Sequence, residues 1–324
     1  MMRIEFSCRA GRSATPWVSR MSQIEVLPLA KLPLGETISL SYAWFFQKFA
    51  DVLRISWLWL TLGAALFGFA NWLQLTWMAS SVANAQRGAT HLEVAPASGF
   101  GWTMALAWLV MMFGITSIAV AWHRRILLDE QPGLSGANLV STALWRYIGI
   151  GIAITLITFL PLVIFVPAAL VLGLNAHSAI PNQSNGLVFA LIFLATFALY
   201  VTALSFMLRL SLLLPARATG DLALTFRQAW HRTRGNTWRM FWGLLACCVP
   251  PLVALQIISA VVMAAVGAPK LAPTSEQIIV PALGLTVMSA VMFVISLLIV
   301  PIYIGFLSHC YRHFFQDGIA AEQA

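Results

Sequence analysis

Long apolar runs alternate with shorter polar segments along the whole chain. Six of these runs reach the length of roughly 20 residues that an α-helix needs to cross the hydrocarbon core of a bilayer. They lie at about residues 57–78, 102–122, 148–174, 187–208, 241–266 and 278–307. Trp57 and Trp77 stand at the two ends of the first run, where interfacial tryptophans are enriched. The pattern therefore predicts six transmembrane helices.

Amphipathic segments precede the first, third and fifth of these spans, at residues 34–54, 134–147 and 222–234. In the last segment, apolar and polar residues fall on two different faces of a helix. One face carries Phe226, Ala229, Trp230 and Thr233, and the other carries Arg227, His231 and Arg234. We expect Gly235-Asn236 to end this short helix before the fifth span begins.

The order of these segments predicts a repeated unit. Each unit would consist of an amphipathic helix, a span, a short outer loop, a second span and a terminal arginine, and it would occur three times. Trp145-Arg146 in the second unit corresponds to Trp238-Arg239 in the third. Three unrelated helical hairpins that obey the same interfacial rules would give a similar pattern, so both interpretations stay open.

Composition agrees with a membrane location. Apolar residues make up 60% of the chain and charged residues only 9%, whereas charged residues are about a quarter of a soluble domain. The fold class that we predict is an all-α polytopic membrane protein with six transmembrane helices and short amphipathic interfacial helices. The net charge of +8 is explained by basic residues next to anionic lipid, so we expect no nucleic-acid partner.

The basic residues also predict the orientation. Of the 19 Lys and Arg residues, all except Arg87 and Lys270 fall on one side of the predicted membrane. The positive-inside rule then places both termini in the cytoplasm. We expect residues 1–33 to form a disordered tail, 34–315 the membrane domain and 316–324 a second tail, and Met21 is a plausible alternative start.

One stretch resembles a known family. The sequences RLSLLLPARATGD and LTFRQAWHRTRGNTWR, between Arg209 and Arg239, are similar to the membrane domain fused to some bacterial glycerophosphodiester phosphodiesterases. The same domain stands alone in uncharacterised six-span proteins of the bacterial inner membrane. The likeness covers roughly the last third of the chain, and the first half only through hydropathy. It implies topology and a bacterial inner-membrane location, but no activity, because the phosphodiesterase barrel has no counterpart here.

Candidate chemistry is sparse. The cores of the predicted spans contain no Asp or Glu, and adjacent Cys247 and Cys248 in an apolar span are typical of small buried residues. His123, His309 and His313 fall at span ends, where they could meet as a metal or proton site. We favour solvated interfacial histidines instead, and we expect no cofactor and no metal. Asp129-Glu130 could accept hydrogen bonds from the neighbouring Arg124 and Arg125.

The clearest candidate site is a set of interfacial cations and tryptophans. Four arginines fall between Arg227 and Arg239, and only Asp221 is near them in the sequence. Such charges repel one another unless an anion lies opposite, and phospholipid headgroups supply anions. The residues predicted to contact lipid are Arg227, Trp230, Arg232, Arg234, Trp238, Arg239, Arg124, Arg125, Arg209 and Arg312. Carboxylates of a partner protein or a soluble phosphorylated ligand are the competing interpretations.

These observations favour a non-enzymatic inner-membrane protein with a basic, lipid-facing cytoplasmic surface, acting in membrane organisation or lipid handling. Its expected partners are anionic phospholipids, with a protein partner left open. The first alternative is permease-like transport of a lipidic or small apolar compound, for which Asn71, Gln74 and Gln256 are polar candidates inside spans. The second alternative is a membrane-embedded lipid-modifying enzyme.

Overall fold

The computed structural model describes residues 31–86, 99–133, 137–179, 186–266 and 275–317. Every secondary-structure element in these ranges is helical. The α-helices are α1 (Leu34–Gln47), α2 (Phe49–Gln86), α3 (Phe100–Leu128), α4 (Thr142–Ala179), α5 (Gly186–Leu210), α6 (Leu213–Thr219), α7 (Phe226–Arg232), α8 (Thr237–Val266) and α9 (Ser275–Tyr311). A 3₁₀ turn at Ala137–Val140 precedes α4, and a π-helical turn at Arg312–Asp317 follows α9.

Six of these helical segments are long and apolar enough to cross a membrane, which confirms the predicted fold class. They are Phe49–Met78, Phe100–Leu128, Thr142–Val163, Ala190–Thr219, Thr237–Val262 and Thr286–Gln316. The end predicted for the second span, at Trp122, is wrong, because α3 continues to Leu128. Asp129, at a left-handed φ of 54°, follows it.

The amphipathic segments agree with the prediction only in part. A short helix precedes the first span, since α1 ends at Gln47 and α2 begins at Phe49. The separate helix predicted at 134–147 is not confirmed, because the residues described there form a 3₁₀ turn at Ala137–Val140 and the start of α4 at Thr142. The Ser141 hydroxyl accepts a hydrogen bond from the Leu144 amide, which is the geometry of a helix N-cap. The threefold repeat stays a prediction.

Helices α2, α3 and α9 pack against one another in the centre, and α1 and α8 pack against α9. The α4–α5 hairpin joins this group largely through α6, which contacts both α3 and α4. Small residues allow close approach. A Cβ atom added at Gly243 of α8 would lie 2.2 Å from the fully buried Phe306 ring of α9. Glycine at this position therefore sets the distance between the two helices.

The chain that leads into α1 belongs to the folded body. Leu32 is fully buried, its amide donates to Asn236 Oδ1 at 3.0 Å, and its carbonyl accepts from Arg239 at 2.8 Å. The tail boundary predicted at residue 33 is therefore too late in the chain. Residues 1–30 and 318–324, which contain most of the two predicted tails, lie outside the described residues.

Candidate functional site at the basic end of the bundle

Three long helices end, and three begin, at one end of the bundle. Helices α3, α5 and α9 finish there, α2, α4 and α8 start there, and α6 and α7 connect α5 to α8. We call it the basic end, because every Lys and Arg among the described residues belongs to it. An exposed tryptophan lies near the start of each of the three helices that begin there: Trp57, Trp145 and Trp238. Tryptophans in this position are typical of the membrane–water interface.

The connection from α5 to α8 contains less helix than predicted. Leu222–Thr225 is not helical, and α7 begins only at Phe226. The Thr225 hydroxyl accepts from the Gln228 amide while the Gln228 side chain accepts from the Thr225 amide, which is a capping box. Gly235, at a φ of 80°, makes the turn between α7 and α8. The sequence T-F-R-Q carries this signal, which the interpretation as one helix over 222–234 overlooked.

Four arginines at the basic end bind backbone carbonyls from other parts of the fold. Arg232 donates to Phe314 at 3.1 Å, Arg239 to Leu32 at 2.8 Å and Arg217 to Leu224 at 2.9 Å, and Arg312 donates to Ile126. A helix leaves its last carbonyls without partners inside the helix, so such bonds stabilise the chain ends that meet here. These arginines join elements. For Arg232, Arg239 and Arg312, the predicted contact with lipid remains a prediction.

Two further arginines are neutralised by carboxylates. Arg124 forms a two-pronged ion pair with Glu130, with N–O distances of 2.7 and 2.8 Å. Arg125, only 5% exposed, donates to Asp129 at 2.6 Å and to Asp51 at 3.0 Å. The predicted local pairing with Asp129-Glu130 is confirmed. Asp51 was missed, and these pairs leave little positive charge on either arginine for a headgroup.

Arg209 and Arg234 have no such neutralisation. The Arg209 guanidinium stacks on the Trp230 ring, 4.1 Å from its centroid, and its Nε donates to Thr237 Oγ1 at 2.7 Å. Trp230 in turn packs on Phe206, with ring centroids 4.6 Å apart. The exposed Arg234 lies in the short turn between Trp230 and Thr237, both of which contact Arg209. In the described chain, neither arginine forms an ion pair with a carboxylate.

The outer surface of α7 carries the remaining predicted cation. Arg227 and His231 are exposed, whereas Ala229 and Thr233 are fully buried. Trp238, at the start of α8, is 65% exposed. The predicted lipid-contacting residues thus divide into three kinds: arginines bound inside the protein, the pair Arg209 and Arg234 with Trp230 under Arg209, and the exposed Arg227 and Trp238.

Two further exposed arginines on this surface were not in the predicted set, and neither was the exposed Lys31. Arg54 of α2 and Arg146 of α4 are exposed at the basic end, and neither is ion-paired with a carboxylate of the described residues. Each lies within four residues of an exposed interfacial tryptophan, Trp57 or Trp145. That proximity in sequence was the signal that could have identified them.

The histidines depart from their prediction. His123 is fully buried and His309 is 5% exposed, so the solvated interpretation is wrong for both. His123 Nδ1 lies 2.7 Å from Ser308 Oγ, and the Ser308 hydroxyl donates to the Ile304 carbonyl. His123 is therefore the donor through Nδ1–H. This contact joins residues 185 positions apart, which explains why the sequence did not reveal it.

His123 Nε2, His309 Nε2 and Trp122 Nε1 are buried without a hydrogen-bond partner among the described residues. Within the same residues, no three His, Cys, Asp or Glu side chains come together as metal ligands would. The buried nitrogens belong to the packed interior of α3 and α9. The basic end is therefore the better candidate site.

Six helices able to cross a bilayer define the chain as a multi-pass α-helical membrane protein. Comparisons of the chain with protein-family models, with curated proteins and with solved structures find no match. The likeness to the phosphodiesterase-fused membrane domain stays a prediction. A function has to be argued from the geometry of the basic end.

Proposed function

We propose that this protein sits in a bacterial inner membrane, with both termini in the cytoplasm, and engages anionic phospholipid through its basic end in membrane organisation or lipid handling. The observation that carries the proposal is a group of exposed arginines at the basic end that form no ion pair with a described carboxylate. Its members are Arg54, Arg146, Arg227 and Arg234.

The energetics support contact with a charged leaflet. Each basic residue near an anionic surface contributes on the order of 1 kcal/mol, so these four contribute roughly 4 kcal/mol. The attraction weakens with added salt, because the Debye length shortens from about 10 Å at 0.1 M to about 3 Å at 1 M. Exposed tryptophans hold the same helix ends at headgroup depth. Charge and depth together favour a phospholipid surface over a soluble acidic protein.

A lipid-retention experiment tests the proposal. The four arginines are changed to Gln, the protein is purified gently, and the retained phospholipids are identified by mass spectrometry. Arg232 and Arg239 are left intact, because they bind the carbonyls of Phe314 and Leu32. We expect less phosphatidylglycerol and cardiolipin on the variant and an unchanged amount of zwitterionic lipid.

The matched control changes Arg3, Arg9, Arg12 and Arg20 to Gln, which removes the same net charge from the N-terminal segment. Retention in this control should resemble that of the wild-type protein. Unchanged anionic lipid on the variant of the basic end would overturn the proposal. Equal losses in both variants would show that net charge alone retains the lipid, and they too would overturn it.

A second candidate function is permease-like transport of a lipidic compound, and an open depression on the surface of α8 favours it. The depression has a volume of about 350 Å³, and Val249, Leu252, Val253, Gln256, Ile257 and Ala260 of this one helix line it. The exposed Gln256 amide in an apolar span would suit a lipid with a polar group. Covering the depression with Ala260→Phe should slow transfer of fluorescent phosphatidylethanolamine between leaflets of proteoliposomes. Transfer no faster than in protein-free vesicles would exclude this function for that lipid.

A further inference from the structure

Arg209 and Arg234 differ from the other arginines between the end of α5 and the start of α8. Arg217, Arg232 and Arg239 each donate to a carbonyl oxygen of the protein. Arg209 instead contacts Trp230 and Thr237, the residues on either side of the short turn that contains Arg234, and no described carboxylate pairs with either arginine. Two like charges held together raise the free energy of the fold unless an anion binds between them.

The position of Arg209 is fixed by its surroundings. The Trp230 ring covers one face of the guanidinium, and the Nε–H of Arg209 donates a hydrogen bond to Thr237 Oγ1. Phe206 packs against the Trp230 ring. The two terminal nitrogens of Arg209 have no hydrogen-bond acceptor among the described residues. A guanidinium held in this way has lost its conformational freedom before a ligand arrives, which is the condition for tight anion binding.

Arg234 approaches from a different element. It lies in the turn between α7 and α8, next to Gly235, whereas Arg209 lies in the last turn of α5. Their proximity therefore results from the tertiary fold. Arg234 remains exposed, so a ligand can reach the pair from outside.

We propose that Arg209 and Arg234 together bind one phosphate group, an inference that rests on the proposed lipid-engaging function of the basic end. Planar guanidinium groups bind phosphate oxygens in two-pronged fashion, and a phosphate has enough oxygens for both arginines. Its charge of −1 or −2 removes the repulsion between them. No protein anion does this in the described chain.

The surroundings suit a phosphate that carries acyl chains. Phe206 is 37% exposed on α5, one turn before Arg209, and Leu245 is exposed on α8 about two turns after Thr237. A phospholipid with its phosphate on the two arginines would place its chains along these apolar side chains. A free phosphate or a soluble phosphorylated compound shares the same headgroup chemistry and is distinguished by experiment.

Native mass spectrometry of the full-length protein in detergent tests the site, with phosphatidylglycerol as the probe. Arg234→Gln and Arg209→Lys should each weaken binding of the first phosphatidylglycerol about tenfold, as expected when one charge-assisted interaction is lost. Arg209→Lys keeps the charge and removes the two-pronged geometry. Arg227→Gln is the matched control, since it removes one exposed charge from α7, and it should change the affinity less than about twofold.

The outcomes separate this inference from the proposed function. Equal weakening by Arg227→Gln and Arg234→Gln would overturn the site but leave a diffuse basic surface intact. Phosphatidylglycerol binding that is no tighter than phosphatidylcholine binding in the wild-type protein would overturn both. Thermal unfolding of each variant in the same detergent shows whether the protein is still folded. Because Arg234 is exposed, Arg234→Gln should have little effect on packing.

Inorganic phosphate and glycerol phosphate identify the source of the phosphate group. If millimolar amounts of either displace the first phosphatidylglycerol, and Arg234→Gln abolishes that competition, the site takes soluble phosphates. If neither competes, the site takes a lipid headgroup, which is the result we expect from the exposed apolar residues beside it. Either result supports a phosphate site.

Discussion

Arginines at the basic end have two roles that residue type alone does not separate. Arg125 is bound by Asp51, 74 residues away, and Arg239 by Leu32, 207 residues away. The sequence predicted that cations gather here but not which of them are already bound, because such partners are set by the tertiary fold. Only the local partners, Asp129 and Glu130, were within reach of a sequence argument.

The ion pairs of the buried Arg125 give the first prediction. Arg125→Ala leaves the partly buried Asp51 without its cation, which costs about 1–3 kcal/mol. The Asp129 side chain is 84% exposed and is solvated without the arginine. We expect a clear fall in the melting temperature of the detergent-solubilised protein, measured by intrinsic tryptophan fluorescence. Arg227→Ala, which removes an exposed charge, is the control and should melt within a degree or two of the wild-type protein.

Restoring charge balance sharpens this test. The double variant Arg125→Gln with Asp51→Asn has no unpaired ion at that contact, so it should melt above the single variant Arg125→Gln. A single variant that melts like the wild-type protein would show that Arg125 does not hold α2 and α3 together.

A second prediction concerns the buried histidine. Ser308→Ala removes the acceptor for His123 Nδ1–H and leaves a buried donor without a partner, which costs roughly 1–3 kcal/mol. Ser296→Ala, on the same helix, is the control, because Ser296 bonds only to the Met292 carbonyl one turn earlier. Thermal unfolding should rank Ser308→Ala well below Ser296→Ala. Equal melting temperatures would contradict a structural role for this contact.

At the scale of the elements, N-cap residues explain why two helices begin later in the chain than their sequence patterns predicted. Ser141 starts α4 and Thr225 starts α7, each through a hydrogen bond to a backbone amide three residues later. Hydrophobic periodicity placed the predicted helices too early in both segments. The T-x-x-Q signal was present in the sequence, whereas the lone Ser141 was one of several equally plausible caps.

Close packing of α8 against α9 gives the third prediction. Gly243→Ala adds a Cβ atom 2.2 Å from the Phe306 ring and 2.9 Å from Leu34 Cδ1, so the helices must move apart. Overpacking of this kind costs typically 1–3 kcal/mol. Gly149→Ala, on α4 with no atom within 4 Å, is the control and should be neutral or stabilising. The melting temperatures of the two variants in detergent check this, and a stable Gly243→Ala protein would contradict the packing.

At the scale of the whole molecule, hydropathy predicted the number of spans but not their arrangement. The α3 and α5 spans have almost the same mean hydropathy, 2.1 and 2.2. In the apolar 18-residue stretch of each span, however, 39% is buried inside the protein for α3 and only 11% for α5. Lipid tails are as apolar as a protein core, so a peripheral helix and a central one look alike in sequence. Helices α2, α3 and α9 could not be identified as the centre beforehand.

The fourth prediction is the orientation of the molecule. Because every Lys and Arg of the described residues lies at the basic end, we expect that end to face the cytoplasm. A fluorescent protein that matures only in the cytoplasm, fused after Ala324, should be bright. Alkaline phosphatase at the same position, which is active only in the periplasm, should be inactive. The reverse pattern would place the basic end outside.

Mapping where a lipid headgroup lies on the protein tests the central claim most directly. Phosphatidylglycerol with a photoreactive headgroup is incorporated into proteoliposomes, irradiated, and its adducts are located by peptide mass spectrometry. We predict adducts concentrated between Phe206 and Trp242, removed by excess unlabelled phosphatidylglycerol and not by phosphatidylcholine. Adducts spread evenly over both ends of the bundle, or displaced equally by both lipids, would contradict a lipid-binding basic end.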